Sequence, residues 1–317
     1  MSDQPMILAG SDPQALPRAL DILSGGGLVA IPTETVYGLA GVSTMAHAVG
    51  AIYAAKNRPR TNPLISHVAD LAMAETYARF DPVSRRLARA FWPGPLTLIV
   101  PLRAGGISRA STNGGELVAM RAPAGFAHDL IARLGLPLAA PSANSSGRIS
   151  PTTAQHVAED LGARVPLIID GGQTRFGVES TVIRVSENGV TILRPGVLQA
   201  DEIAQVAQMA QAPAAPGEDK LSPGTLSSHY APRAQVRLNV TSPGPDEVFL
   251  GFGPGSGPEA FNLSPSGDLA EAARNLFDFL HRADAAGAST IAVAPIPEKG
   301  LGLAINDRLR RAASPRP

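Results

Sequence analysis

Over residues 1–208, short apolar runs alternate with segments whose apolar positions recur every three or four residues. The runs at 28–31, 64–68, 96–100, 117–121, 167–170, 181–185 and 190–194 are expected as strands. Between them, Val49, Ile52 and Tyr53, then Phe126, Leu130, Ile131 and Leu134, then Ala154, Val157, Ala158 and Leu161 fall on single helical faces. This alternation predicts an α/β domain, and one connection is a hairpin, TVIRVSENGVTILR, so the sheet is expected to be mixed. With Asn188-Gly189 as its two-residue turn, Ile183 pairs with Arg194 and Thr181 with Gly196, which gathers Arg194 and Ser180–Thr181 at one end of the ribbon. From 209 to 234 the periodicity gives way to Pro, Ala and Gly, the signature of an extended, semi-rigid linker. Strands at 236–240, 248–251 and 290–294, with a helix carrying Leu269, Ala273, Leu276 and Leu280, then make a smaller α/β unit. The expected organisation is therefore a first domain over 1–208, a linker over 209–234 and a second domain over 235–317.

Composition narrows the function classes. The 317 residues, 44% apolar, suffice for two cores. No cysteine is present, which excludes disulfides, zinc–thiolate sites and a cysteine nucleophile. The 27 basic and 27 acidic residues cancel, which argues against a protein that coats nucleic acid and leaves a local basic cleft open. The N-terminus has no basic segment followed by an apolar one, and no run approaches the ~20 apolar residues of a membrane span, so a cytoplasmic chain without a membrane partner is expected. Lysine occurs only at Lys56, Lys220 and Lys299, Arg supplying the other positive charges.

Five constellations carry candidate chemistry. PTETVYG at 32–38 follows a strand and offers two hydroxyls and a carboxylate to a polar ligand; the alternative is a capped helix start. KNRPRTNPL at 56–64 sets three cations within five residues, a phosphate clamp or else a solvated helix C-terminus, with His67 on the following strand. PSANSSGRISPT at 141–152 supplies hydroxyls and an amide for phosphate or ribose, and Ser150-Pro151 also fits a helix N-cap. It is neither a P-loop nor a dinucleotide fingerprint. DGGQT at 170–174 with GVEST at 177–181 and RPG at 194–196 forms a fourth group, whose first part equally reads as a plain turn. Arg121, ending its strand, can clamp a carboxylate with two hydrogen bonds or make a surface ion pair.

Together with WPGPLTLIV, VAMRAP, IIDGG, GVESTVI and LRPG, these motifs closely resemble the threonylcarbamoyl-AMP synthase family of YrdC-like proteins, in order from Pro32 to Gly196. SPG at 222–224, HYAP at 229–232 and the run from Gly300 to Leu309 resemble its longer, two-domain form. The resemblance implies a YrdC-like twisted mixed sheet with a concave cleft and a smaller Rossmann-like domain. It implies that threonine takes up bicarbonate or CO2 to give a carbamate, which attacks the α-phosphate of ATP; pyrophosphate leaves and threonylcarbamoyl-AMP forms. A downstream transferase then passes the threonylcarbamoyl group to an adenosine of tRNA, and direct contact with tRNA is left open. By likeness, Lys56, Arg58, Asn62, Leu117, Ser142, Asn144, Ser150, Arg194 and Tyr230 hold ATP, with Lys56 and Arg58 catalytic. Thr35, His67, Arg121, Ala140 and Ser180 hold L-threonine, and Mg²⁺ is expected on the phosphates without a protein cage of its own. Tyr230 is expected as a lid. Where the family places a Met, a basic residue, Tyr and a second basic residue before HYAP, this chain has Thr225-Leu226-Ser227-Ser228. A weaker hold on pyrophosphate is expected from that change. The competing readings are an RNA-binding module on the same fold and another carbamoyl-transfer enzyme; the latter carry acylphosphatase or zinc-finger modules, and this chain carries neither.

Overall fold

A computed structural model describes residues 4–224, 228–256 and 261–315, without the side chains of Asp219 and Lys220. In chain order the elements are β1 (Met6–Ala9), α1 (Ala15–Ser24), β2 (Val29–Ile31), β3 (Gly38–Val42), α2 (Ala46–Lys56), β4 (Ile65–His67), α3 (Leu71–Tyr77), α4 (Pro82–Phe91), β5 (Leu96–Pro101), β6 (Leu117–Arg121), α5 (Phe126–Leu134) and β7 (Leu138–Ala139). They continue with α6 (Ala154–Leu161), β8 (Leu167–Asp170), β9 (Thr181–Ser186), β10 (Gly189–Arg194), α7 (Ala200–Ala207), β11 (Gln211–Ala212), β12 (Gln235–Arg237), β13 (Glu247–Leu250), α8 (Leu269–Ala285), β14 (Thr290–Val293) and α9 (Leu301–Ala313). The first eleven strands form one mixed sheet in the order β1-β8-β2-β3-β7-β4-β6-β5-β9-β10-β11. The last three form a parallel sheet, β12-β14-β13.

The continuous apolar runs have a direct cause: the left half of the large sheet is covered on both faces. Val29, Ile31, Leu167 and Ile169 point to α1 and α5, while Leu28, Ala30, Leu39 and Ile168 point to α2 and α6. The right half differs. One face, with Leu96, Leu98, Val118 and Met120, packs on α4 and α7. The other buries only Ile65, Ile99, Ala119, Val182 and Leu193, with Leu117 and Leu221 against them. That thinly covered face is the concave side, roofed in part by the chain between the two sheets. The core of the small sheet is shared: Val36, Ile149, Val178 and Tyr230 pack with Leu276, Phe277 and Leu280 of α8 and Ile305 and Leu309 of α9.

Three expectations are corrected. The hairpin pairs Ser186 with Gly189 and Ile192 with Ile183, so Glu187 and Asn188 make the turn, and a bulge at Leu193 sets Arg194 opposite Val182. Gly189 is needed for space rather than as a turn centre: a Cβ there would lie 2.4 Å from the Ala210 carbonyl, where β11 docks. The gathering itself holds, since a Cβ on Gly196 would strike the Ser180–Thr181 peptide at 2.4 Å. Ser150 is not a helix cap. Thr153 takes that role, accepting the His156 N–H at 3.2 Å, because Pro151 is tied as extended chain to β3 through Tyr37 N–H at 2.9 Å. Likewise PTETVYG starts no helix; the Thr33 hydroxyl closes a turn by donating to Val36 O at 2.7 Å and accepting from Val36 N–H at 3.3 Å.

Candidate active site

Lys56 ends α2, and Asn57 adopts the left-handed conformation at φ 51°. That turn drives the chain inward, so Lys56 and Arg58 are buried rather than solvated. The Lys56 Nζ donates to the carbonyls of Ser142, at 2.5 Å, and Asn144. Arg58 donates to the Asn62 carbonyl at 3.2 Å and the Pro63 carbonyl at 2.9 Å. Arg194, from β10, donates to the Ser180 carbonyl at 2.9 Å, the Ser180 hydroxyl at 3.1 Å and the Pro223 carbonyl at 2.9 Å. Three buried cations are thus held by neutral oxygens. Burial lowers the pKa of each, that of Arg58 to about 10.

Arg121 and His67 end the parallel neighbours β6 and β4, paired in register. The Arg121 Nε donates to Gly94 O at 3.1 Å, and its Nη2 stands 2.7 Å from the Glu34 Oε1. His67 is 3% exposed. Burial, reinforced by Arg121, pushes its pKa down to about 3, so the ring is neutral at ordinary pH.

These groups meet. A cavity of about 50 Å³ is lined by Thr35, Arg58, His67, Arg121, Ala140, Ser142, Ser180 and Arg194 from the large sheet. Glu179 and the roof residues Pro223, Gly224, His229 and Tyr230 complete it. Tyr230, at φ 61°, is buried on Phe277, ring centroids 5.5 Å apart, and its hydroxyl leaves no room for a side chain at Gly224. Of the remaining expected residues, Lys56, Asn62 and Asn144 stand just behind the wall, linked through the carbonyls described above and the Asn144 amide to Arg148 O at 2.8 Å. Ser150 reaches the wall through Glu179, donating to its Oε1 at 2.6 Å. Leu117, at the opposite end of β6 from Arg121, packs on the sheet and does not line the cavity. Thr225, Leu226 and Ser227 lie outside the described residues.

Buried polar atoms around this space without a hydrogen-bond partner include Asn62 Nδ2, His67 Nδ1, Asn144 Oδ1 and His229 Nδ1, besides the ion-paired Glu34 Oε1 and Arg121 Nη2. Each such atom costs about 1–3 kcal/mol, a cost that a polar ligand bonding to them offsets. Sequence reasoning gave no role to Glu179, His229 or Arg308, and marked Glu34 only as the carboxylate that the PTETVYG loop offers a polar ligand. Arg308, 0% exposed on α9, donates to Glu179 at 3.0 Å and to Pro195 O at 2.7 Å. The signal was available for all four, since each belongs to a motif already singled out.

A family model described as telomere recombination, covering Sua5, YciO and YrdC proteins, matches residues 21–196, and one for the C-terminal domain of threonylcarbamoyl-AMP synthase matches residues 198–314. The threonylcarbamoyl-AMP synthase of Pyrococcus abyssi is 41% identical over 93% of both chains. This chain belongs to the threonylcarbamoyl-AMP synthase family. It is an enzyme of that type. The Bacillus subtilis family member is 37% identical, over 98% of this chain and 95% of its own. The crystal structure of P. abyssi Sua5 complexed with L-threonine superposes over 97% of both chains with a TM-score of 0.86 at 38% identity. Escherichia coli YciO, at 23% identity and a TM-score of 0.56, matches 64% of this chain and shares the fold of the first unit. No helix among the described residues is long and apolar enough to cross a membrane.

Proposed function

We propose that this chain makes threonylcarbamoyl-AMP from L-threonine, bicarbonate or CO2, and ATP, releasing pyrophosphate. One observation carries the reading: Arg58 and Arg194, from two separate segments, converge beside Arg121, His67 and Ser180 around a single cavity, with Lys56 behind its wall on the Ser142 carbonyl. The solved relative that shares the fold over 97% of the chain was crystallised with L-threonine, which supports an amino-acid site here. On this reading the cations, with Asn62, Ser142, Asn144 and Ser150, take the triphosphate, Leu117 borders the nucleotide and Tyr230 closes over it. Thr35, His67, the Ala140 backbone and Ser180 surround threonine, and Arg121 takes its carboxylate. The carbamate oxygen attacks the α-phosphorus, the bond to the β-phosphate oxygen breaks, and pyrophosphate leaves with the electron pair. Charge stabilisation and alignment by fixed cations suffice, without a covalent enzyme intermediate. The orphaned amide and imidazole atoms suit a polar nucleotide and amino acid. Among the described residues no cluster of acidic or histidine side chains would hold Mg²⁺, so the ion would be held by the phosphates and would serve to neutralise their charge.

The chain divides into a catalytic domain over 1–208, a linker and lid over 209–234 and a Rossmann-like domain over 235–317. It works in the cytoplasm and hands its product to a transferase that modifies tRNA. Pyrophosphate release measured with ATP and bicarbonate, with threonine, serine or no amino acid, tests the proposal. Strong dependence on both threonine and bicarbonate is expected; release that ignores either one ends it.

A further inference from the structure

A zwitterionic amino acid brings two charges on one carbon, so its site needs an anion as well as a cation. Glu179 lines the cavity, but its charge is already balanced by the buried Arg308, which donates to it at 3.0 Å. Glu34 does not itself line the cavity and adjoins it through Arg121, which does. Its Oε1 is 2.7 Å from the Arg121 Nη2, with side chains 10% and 5% exposed, yet neither atom has an aligned hydrogen bond. A structural ion pair this buried recovers its desolvation cost only through good hydrogen-bond geometry. This one lacks it, so the contact is suited to exchange.

Each partner is also fixed independently of the other. Arg121 is held by Gly94 O at 3.1 Å. Glu34 Oε2 accepts the Ala124 N–H at 3.2 Å, and its backbone carbonyl accepts Phe176 N–H at 2.9 Å. A ligand carboxylate arriving on Arg121 takes the place of Oε1 and leaves Glu34 anchored beside it.

Resting on the proposed amino-acid site, we infer that Glu34 is a specificity-determining residue: a stand-in for the substrate carboxylate in the closed site that becomes the counter-ion of the substrate ammonium. A carboxylate fixed next to Arg121 accepts a charged hydrogen bond from an amine and repels a ligand that carries a carboxylate alone. Calorimetric titration of the whole chain with L-threonine and with (R)-3-hydroxybutanoate, its des-amino analogue, reads this directly. The wild-type chain is expected to prefer threonine by at least about 10-fold. In Glu34→Gln, threonine affinity falls by about 10-fold while that of the analogue stays level or rises, so the preference collapses; Glu34→Asp keeps part of it. Equal losses for both ligands, or an unchanged ratio, overturn the inference. Should Glu34→Gln fail to fold, the wild-type ratio decides alone, and equal affinities overturn it. A wild-type chain that binds neither ligand brings down the reading of the cavity itself, whereas one that takes threonine without preference brings down Glu34 only.

Discussion

Lys56, Arg58 and Arg194, in and behind the cavity wall, and Arg121, in that wall, are all buried, yet they are held in opposite ways. The first three rest on carbonyl and hydroxyl oxygens, which carry no compensating charge. Arg121 rests against a carboxylate. A cation cluster hydrogen-bonded to dipoles, its burial only partly offset by the more distant charges of Asp160, Glu179 and Asp307, is electrostatically costly, as the depressed pKa values of Lys56, Arg58 and Arg194 record, and a polyanion relieves that cost. A cation already matched one-for-one is a site for a ligand of no net charge. On the proposed reading, the contrast separates a triphosphate end from an amino-acid end.

The largest expected effect attacks the cationic side. Arg58→Gln should lower kcat/KM for ATP by about 10³-fold, the scale of losing a preorganised charge donor, with pyrophosphate release as the readout. A loss under tenfold would place Arg58 outside the reacting region. Next comes the roof both ends share. Phe277→Ala, beneath Tyr230 in the joint core, should cost about 3 kcal/mol or more in denaturant unfolding. Unaltered stability would show that the two units do not support each other through this core.

Protonation probes the same junction. His281 of α8 makes a 3.3 Å contact with the Ser150 carbonyl and stacks on His156 at 4.0 Å. Burial, then His156, pushes its pKa down to about 3, with Asp160 and Asp284 opposing. The folded state therefore leaves this ring neutral while the unfolded chain takes a proton below about 6.5, so stability is lost as pH falls from 6.5 toward 3. Replacing it, as in His281→Gln, should flatten that slope by about 1 kcal/mol per pH unit, seen in unfolding midpoints across the range. An unchanged slope would mean the ring is already solvated. The smallest effect concerns the cation-free sequence Thr225–Ser228: Leu226→Lys with Ser228→Lys should strengthen pyrophosphate inhibition about 3-fold, and no change would remove that stretch from product binding.

Much of this contrast was legible before any coordinates. Arg121 ends an apolar strand, and strand ends face the ligand side of an α/β sheet, so its place was legible in the pattern; His67, inside the expected strand 64–68, gained its role only through the family resemblance. Lys56 and Arg58 were marked by crowding of charge, although the left-handed Asn57 that turns them inward was not foreseen. The hairpin register slipped because a turn rule placed Asn188-Gly189 at its centre, whereas the Ala210 carbonyl claims the space beside Gly189. Helix α9 was hidden because its buried face carries Asn306 and Arg308 among Ile305 and Leu309, which dilutes the apolar period. β1 escaped for the opposite reason: it is an edge strand whose Met6 and Ile7 stay exposed. The matching of Glu34 to Arg121 is a tertiary fact that no local pattern carries.

The most direct test of two distinct ends is a crossed titration. Arg58→Gln and Arg121→Gln are each titrated with a non-hydrolysable ATP analogue and with L-threonine, one ligand at a time. Arg58→Gln should lose about 100-fold or more in nucleotide affinity and keep threonine within about 3-fold, while Arg121→Gln does the reverse. Parallel losses of both ligands in both variants would contradict the division and leave a single undifferentiated cationic cavity.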